Sequence, residues 1–277
     1  MQFHNMIRIP ALFTATIAAV SSNAPAEVQL PAATQRTGKW NVDFAENSCT
    51  AHLEIDFGRE RWVVAIIPKP ASDDTLIGLV APNSSPNLEG ASFLVAQQPT
   101  KEIAKGMALK GTNASGNRYY QKLLLAPDYA RLLSSEAFSV TVGTKTTDFT
   151  LTKLRAVQRQ LDICVKDLLV QWGYPLEKQA QFASFPTTSK PVVSYFKDND
   201  YPSAALGAPG GTTTVRVNVK IDGRPEKCVV TESSGRTDLD QKTCAVILSR
   251  VLFYSARNTA DEPVEAPYVA TIRWRTF

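Results

Sequence analysis

The sequence predicts an α+β protein: a β-rich N-terminal domain that ends in a helix, followed by a smaller domain with the element order β-α-β-β-α-β. Three observations predict it. Short β-prone runs separated by turn-forming clusters fill residues 38–151. One long stretch over 151–173 repeats its apolar residues at helical spacing. The last part couples a strictly alternating strand to a hairpin turn and a second helix.

In the first region the runs are "KWNVDF", "AHLEIDFG", "RWVVAIIP", "TLIGLVA", "ASFLVA", "YYQKLLLA" and "FSVTVGTKTTDFTL", broken by clusters such as "PNSSPN" and "GTNASGN". Such spacing points to an antiparallel sheet, sandwich or barrel. In "LTKLRAVQRQLDICVKDLLVQWG", Leu154, Val157, Leu161, Val165, Leu168 and Trp172 recur at helical spacing with Cys164 beside them, and Gly173 is a natural stop. The preceding sheet is the surface available to bury that stripe. Trp40, Trp62, Tyr119 and Tyr120 read as fillers of the sheet core, with a ligand groove as the alternative.

Residues 174–190, "YPLEKQAQFASFPTTSK", lack periodicity and are expected to be a linker. Over 191–277 the organisation changes. "YPSAAL" reads as a short helix. "GTTTVRVNVKID" puts Val215, Val217, Val219 and Ile221 on one face and Arg216, Asn218 and Lys220 on the other. Asp222-Gly223 supplies the hairpin turn before "EKCVVTE". Thr237 and Asp240 form a capping-box pattern that opens "DLDQKTCAVILSRVLF", and "VEAPYVATIRWRTF" closes the domain with Tyr268, Ala270, Ile272 and Trp274 on one face.

At 277 residues, 44% hydrophobic and 20% charged, the chain has globular composition. Its net charge of +4 is spread without basic runs, so nucleic acid is not an expected partner. Arg8, the apolar run Ala11–Val20 and Ala24-Pro25-Ala26 read as an export signal over 1–26, cleaved after Ala26. The apolar run is about half the roughly 20 residues that a membrane-spanning helix needs. A retained inner-membrane anchor is the alternative. Cleavage leaves a β-rich domain over 27–173, the linker, and a domain over 191–277.

Cys228 and Cys244 bracket a strand, a Ser-Ser-Gly turn and a helix start, a pattern open to a metal site, a redox pair, a nucleophile or a covalent staple. The only histidines are His4 and His52, and neither C-x2-C spacing nor a nucleophile-elbow G-x-S-x-G occurs, which disfavours the first three. An even number of cysteines in an exported chain reads as disulfides: Cys228 with Cys244, and Cys49 with Cys164. Two buried free thiols are the alternative for the second pair. Asp73-Asp74, Asp198, Asp200 and Asp238 are expected in solvated turns, with Asp240 as a helix-start residue. No phosphate-binding loop or dinucleotide fingerprint occurs. No enzymatic activity, metal or cofactor is expected; a carboxylate-dependent hydrolase in the N-terminal domain is the competing reading.

The order of motifs in the last third resembles the C-terminal domain of the energy transducer TonB family. The motifs are Tyr201-Pro202, Gly211, Asp222-Gly223, Ser233-Ser234-Gly235, Leu239-Asp240, Phe253-Tyr254-Ser255-Ala256 and the strand Val269–Trp274, with Ser255 where the family has proline. The cysteine pair at 228 and 244 resembles a variant of exported members. The resemblance implies a periplasmic protein linked to transmembrane transport. In such domains the closing strand, here Tyr268, Val269, Ala270, Thr271, Ile272 and Arg273, pairs with an extended peptide of an outer-membrane receptor or other envelope protein. It also implies a homodimer through that edge as a further option. Where the family has an uncleaved membrane helix and a Pro-rich spacer, a cleaved signal and a β-rich domain are expected here, so a non-transducing envelope interaction protein is the second reading.

Overall fold

Alternating burial drives the first half of the chain into sheets. A computed structural model of the protein describes residues 35–81, 92–95, 109–112, 118–142, 144–207 and 210–275. The export signal expected over 1–26 lies outside them. Seven strands come first: β1 (Gln35–Phe44), β2 (Cys49–Phe57), β3 (Glu60–Pro68), β4 (Thr75–Ala81), β5 (Ser92–Val95), β6 (Leu109–Thr112) and β7 (Arg118–Leu124). Helix α1 (Ala126–Ser135) leads to β8 (Ala137–Val142), β9 (Lys145–Thr150) and helix α2 (Leu154–Gln171). All ladders here are antiparallel, in one sheet ordered β1-β2-β3-β4-β7-β6 and a smaller one ordered β5-β8-β9.

Their core lies where the inward residues of both sheets meet α2. Ala51, Leu53 and Ile55 of β2, Trp62, Val64 and Ile66 of β3, and Ile77 and Leu79 of β4 face Phe138, Val140 and Phe149 of the smaller sheet. The Phe149 ring stacks on Phe138 and meets Phe57 and Trp62 edge-on. Leu154, Val157, Leu161, Cys164 and Leu168 of α2 are buried in the same cluster. Trp62 and Tyr120 are core residues, Trp40 is half-buried and donates its indole N–H to the Thr152 carbonyl at 2.9 Å, and the Tyr119 side chain lies outside the described residues. Helix α1 is an element the strand pattern conceals. Its signals are Pro127 in the first turn, Asp128 beside it, and Tyr129 and Leu132 buried on one face.

Residues 174–190, expected as a linker, are folded. They carry α3 (Leu176–Gln179), β10 (Phe182–Ser184) and β11 (Thr187–Thr188). Tyr174, Phe182 and Phe185 join Ala71 and Leu169 in a small apolar cluster, which supplies the burial that a polar linker would lack. The strands pair forward in sequence: β10 with β15 (Ala256–Asn258), itself paired with β16 (Pro263–Val264), and β11 with β14 (Phe253–Tyr254).

The last domain is built on β12 (Thr212–Val219), β13 (Pro225–Glu232) and β17 (Ala266–Arg273), ordered β13-β12-β17 and antiparallel throughout. Helix α4 (Thr237–Arg250) covers one face, burying Leu239, Thr243, Val246 and Ile247 over Val215, Val217 and Val219. The two elements expected before the hairpin are single 3-10 turns at Val192–Tyr195 and Ser203–Ala205. A third turn, Asp198–Asp200, lies between them and ends at Tyr201, which the following Pro202 holds in extended backbone, so the turns do not merge into one helix. Ile221 falls in the hairpin turn and is exposed, because β12 ends at Val219. Gly223 is required there: its φ is +79°, and a β-carbon would meet the Phe253 carbonyl oxygen at 2.1 Å.

Candidate functional site

The three-stranded sheet has two outer strands, and they differ. β13 carries register shifts against β12 at Thr214/Val215 and Arg216/Asn218, and Lys227 sits at φ 51°. Such irregularity twists an outer strand away from pairing. β17 keeps unbroken register over eight pairs, from Thr212 opposite Arg273 to Val219 opposite Ala266, and among the described residues its only strand partner is β12. Pro267 is a residue that strands accept at their sheet edge. The six residues singled out in sequence, Tyr268 to Arg273, are all on β17.

Side chains of β17 alternate. Ala270, Ile272 and the following Trp274 are buried beneath α4, with the Trp274 indole N–H donating to the Thr243 hydroxyl at 2.9 Å. Tyr268 packs edge-on against Phe253, and burial pushes its phenol above the usual range. Val269, Thr271 and Arg273 lie on the opposite, open face, with Pro267 buried at its start, and Thr271 shares a hydrogen bond of 3.1 Å with Thr214.

Part of that open face is covered by the chain just after α2. The Trp172 ring, at the end of α2, lies under the Arg216 guanidinium at 4.7 Å, and the Arg216 Nη1–H reaches the Trp172 carbonyl at 3.5 Å. The Tyr174 hydroxyl donates to Asn218 Oδ1, and Asn218 Nδ2 donates to Glu265 Oε1 at 2.8 Å. Burial, reinforced by Glu265, raises the Tyr174 phenol, while burial lowers the Arg216 guanidinium. These contacts are spent on β12, leaving the outward side of β17 without a strand among the described residues. Sequence reading placed Trp172 in the apolar stripe of α2 and missed its second role. The only sequence signal for it is a large aromatic residue just before the stop at Gly173.

Two carboxylates depart from the sequence reading. Asp240 does not close a capping box: the helix N-cap is Arg236, and the Asp240 side chain turns inward. It accepts from the Thr213 hydroxyl at 2.8 Å, the Ser233 hydroxyl at 2.5 Å and the Ser234 N–H at 2.9 Å. Burial works against its charge, yet these donors hold the carboxyl below the usual range. This network explains the Ser233-Ser234-Gly235 turn as structure. Gly211 is needed beside it, since a β-carbon there would meet the Ser234 carbonyl oxygen at 2.6 Å. Asp200, expected in a solvated turn, is buried. The Arg250 guanidinium donates to both its oxygens at 2.6 and 2.9 Å, and the Lys197 N–H adds a bond at 2.8 Å.

All four cysteines are paired. Cys49 of β2 joins Cys164 of α2, and Cys228 of β13 joins Cys244 of α4. Among the described residues no group of three His, Cys, Asp or Glu side chains is placed to hold a metal ion, and no helix is long and apolar enough to cross a membrane.

Residues 198–276 match the family of the Gram-negative bacterial TonB protein C-terminal. No curated protein and no solved structure matches the chain. With the Tyr-Pro segment, the glycine-led strand, the hairpin and the closing outer strand in the order that sequence resemblance implied, residues 198–276 are a TonB C-terminal-like domain.

Proposed function

We propose that this is an exported, periplasmic protein whose β17 takes up an extended peptide of a TonB-dependent outer-membrane receptor or another envelope protein as a fourth strand. The observation that carries the reading is the asymmetry of the sheet: β13 is irregular and stapled to α4, while β17 is regular over eight pairs and its far side has no strand among the described residues. Backbone N–H and C=O groups along such an edge supply affinity, and alternate side chains supply selectivity. On the open face Glu265 stands at one end and Arg273 at the other, with the exposed Arg275 beyond it, so a guest with an acidic residue near Arg273 is favoured.

The test is a titration of the protein with receptor N-terminal peptides while backbone amide shifts are recorded. Shifts concentrated on 268–273 are expected. Binding that leaves these amides unmoved would end the proposal. A homodimer through the same edge competes for the same groups, and peptide binding would then weaken as protein concentration rises. Catalysis has no part in this reading: Ser233, Ser234 and Asp240 are spent on one another.

A further inference from the structure

A cleft of about 760 Å³ opens beside α2, far in sequence from β17. Its walls are the β3–β4 loop (residues 68–75), the outer side of α2, and residues 176–185. Its size is that of small-molecule sites, and its apolar side is formed by Val165, Leu169, Phe182 and Phe185.

The loop that walls it is held in an unusual shape. Ala71, a non-glycine residue, has φ 57° and is buried against Leu169 and Tyr174. The Asp74 carbonyl accepts from the Lys69 N–H at 3.0 Å, and the Ser72 hydroxyl accepts from the Asp74 N–H at 3.1 Å. This folds the loop so that Lys69, Asp73 and Asp74 all line the cleft.

The neutral polar groups around it are largely spent. Tyr129 donates to Gln158, whose amide donates on to Asp162 at 2.7 Å. The Gln179 amide donates to the carbonyls of Lys166 and Tyr174 at 2.9 and 2.7 Å. Apart from Asp162, the charged side chains are not spent in this way. Burial pushes the Lys69 ammonium below the usual lysine range, opposed by the attraction of Asp74. A cation removed from water calls for an anionic partner with which it can hydrogen-bond. The lining as a whole, however, sets Lys69 and Lys166 against Asp73, Asp74 and Asp162. That balance repels a dianion such as phosphate and leaves a simple carboxylate without a match for the aspartates. A zwitterion with an apolar side chain satisfies all three features.

We infer that this cleft binds an amino acid or short peptide with an apolar side chain, its carboxylate at Lys69, its ammonium at Asp73, and its side chain on Val165, Leu169 and Phe182. The site shares no residue with β17, although Asp74 on its wall lies close enough to the Tyr268 phenol to help raise it.

The test is isothermal titration of the full chain with leucyl-leucine, beside N-acetyl-leucyl-leucinamide, which carries neither charge. Saturation by the free dipeptide at millimolar concentration or below is expected, with the capped one weaker by about tenfold or more. Lys69→Met should weaken the free dipeptide by a similar factor with its melting temperature unchanged, and Asp73→Asn should weaken it less. Equal binding of free and capped dipeptides, wild-type affinity in Lys69→Met, or no saturation by roughly 10 mM overturns the inference. The comparison of the two ligands is made on the unmodified protein, so it stands even if the variants fold poorly.

Discussion

The Arg216 guanidinium sits 4.7 Å from the centroid of the Trp172 ring, and this pair joins the end of α2 to the open face of the C-terminal sheet. Both partners are partly withdrawn from water, where a cation–π contact contributes about 1 kcal/mol. A double-mutant cycle on Trp172→Ala and Arg216→Ala, read from urea midpoints, should give a coupling of about that size. Additive effects of the two changes would mean that the pair is in contact without interacting.

The Asp200–Arg250 pair makes stability depend on acid. The Arg250 hydrogen bonds hold the Asp200 carboxyl below the usual range, burial opposes them, and the Lys197 N–H assists. A depressed folded-state pKa stabilises the protein above the unfolded value of about 3.9, and the stabilisation is lost as pH falls through the folded value. The urea midpoint of the wild-type protein should therefore exceed that of Asp200→Asn at pH 7, and the gap should narrow below about pH 4. A gap unchanged at pH 3 contradicts the assignment.

The two disulfides should not be equal. Cys49–Cys164 spans 115 residues and Cys228–Cys244 spans 16. By chain entropy the first contributes about 5 kcal/mol and the second about 3. Replacing each pair by serine and measuring denaturant midpoints should give that order, with both midpoints below wild type.

Gly223→Ala should destabilise the hairpin by about 2 kcal/mol or more, because a β-carbon meets both a left-handed backbone and the Phe253 carbonyl. Asp222→Ala removes an exposed hydrogen bond accepted from the Arg224 N–H and a solvent-screened ion pair with the Arg224 side chain, and should cost much less. Thermal midpoints of the two variants separate the effects.

Arg273→Glu should weaken a guest peptide that carries an acidic residue opposite it by about tenfold, with the melting temperature unchanged. A peptide with lysine at that place should gain. The same fluorescence titration with both peptides reads the two directions at once, and equal affinities would remove Arg273 from recognition.

Periodicity made most of this fold legible. The two-residue alternation in Val215, Val217 and Val219 and the helical spacing in 154–168 are direct consequences of side-chain direction, and both appear where expected. Residues 174–190 were opaque because their strands are two or three residues long and owe their form to partners some seventy residues later. Asp200 and Asp240 misled for a related reason. A carboxylate in a polar segment reads as solvated unless its distant donors, Arg250 for one and Thr213 for the other, are known. The closing strand was readable as a strand, but its position at the outside of the sheet depends on which strand pairs with β12, and no local pattern encodes that.

The unbroken β12–β17 register has a mechanical meaning. A strand added to β17 and drawn along its own axis would load the rungs of the ladder side by side, in shear, instead of opening them one after another. All eight residue pairs would resist together. From β12 the load would pass through Arg216 and Asn218 to the end of α2, and along that helix to the Cys49–Cys164 bond. Tension at the edge would thus reach a covalent anchor through regular structure, with little slack chain to take it up.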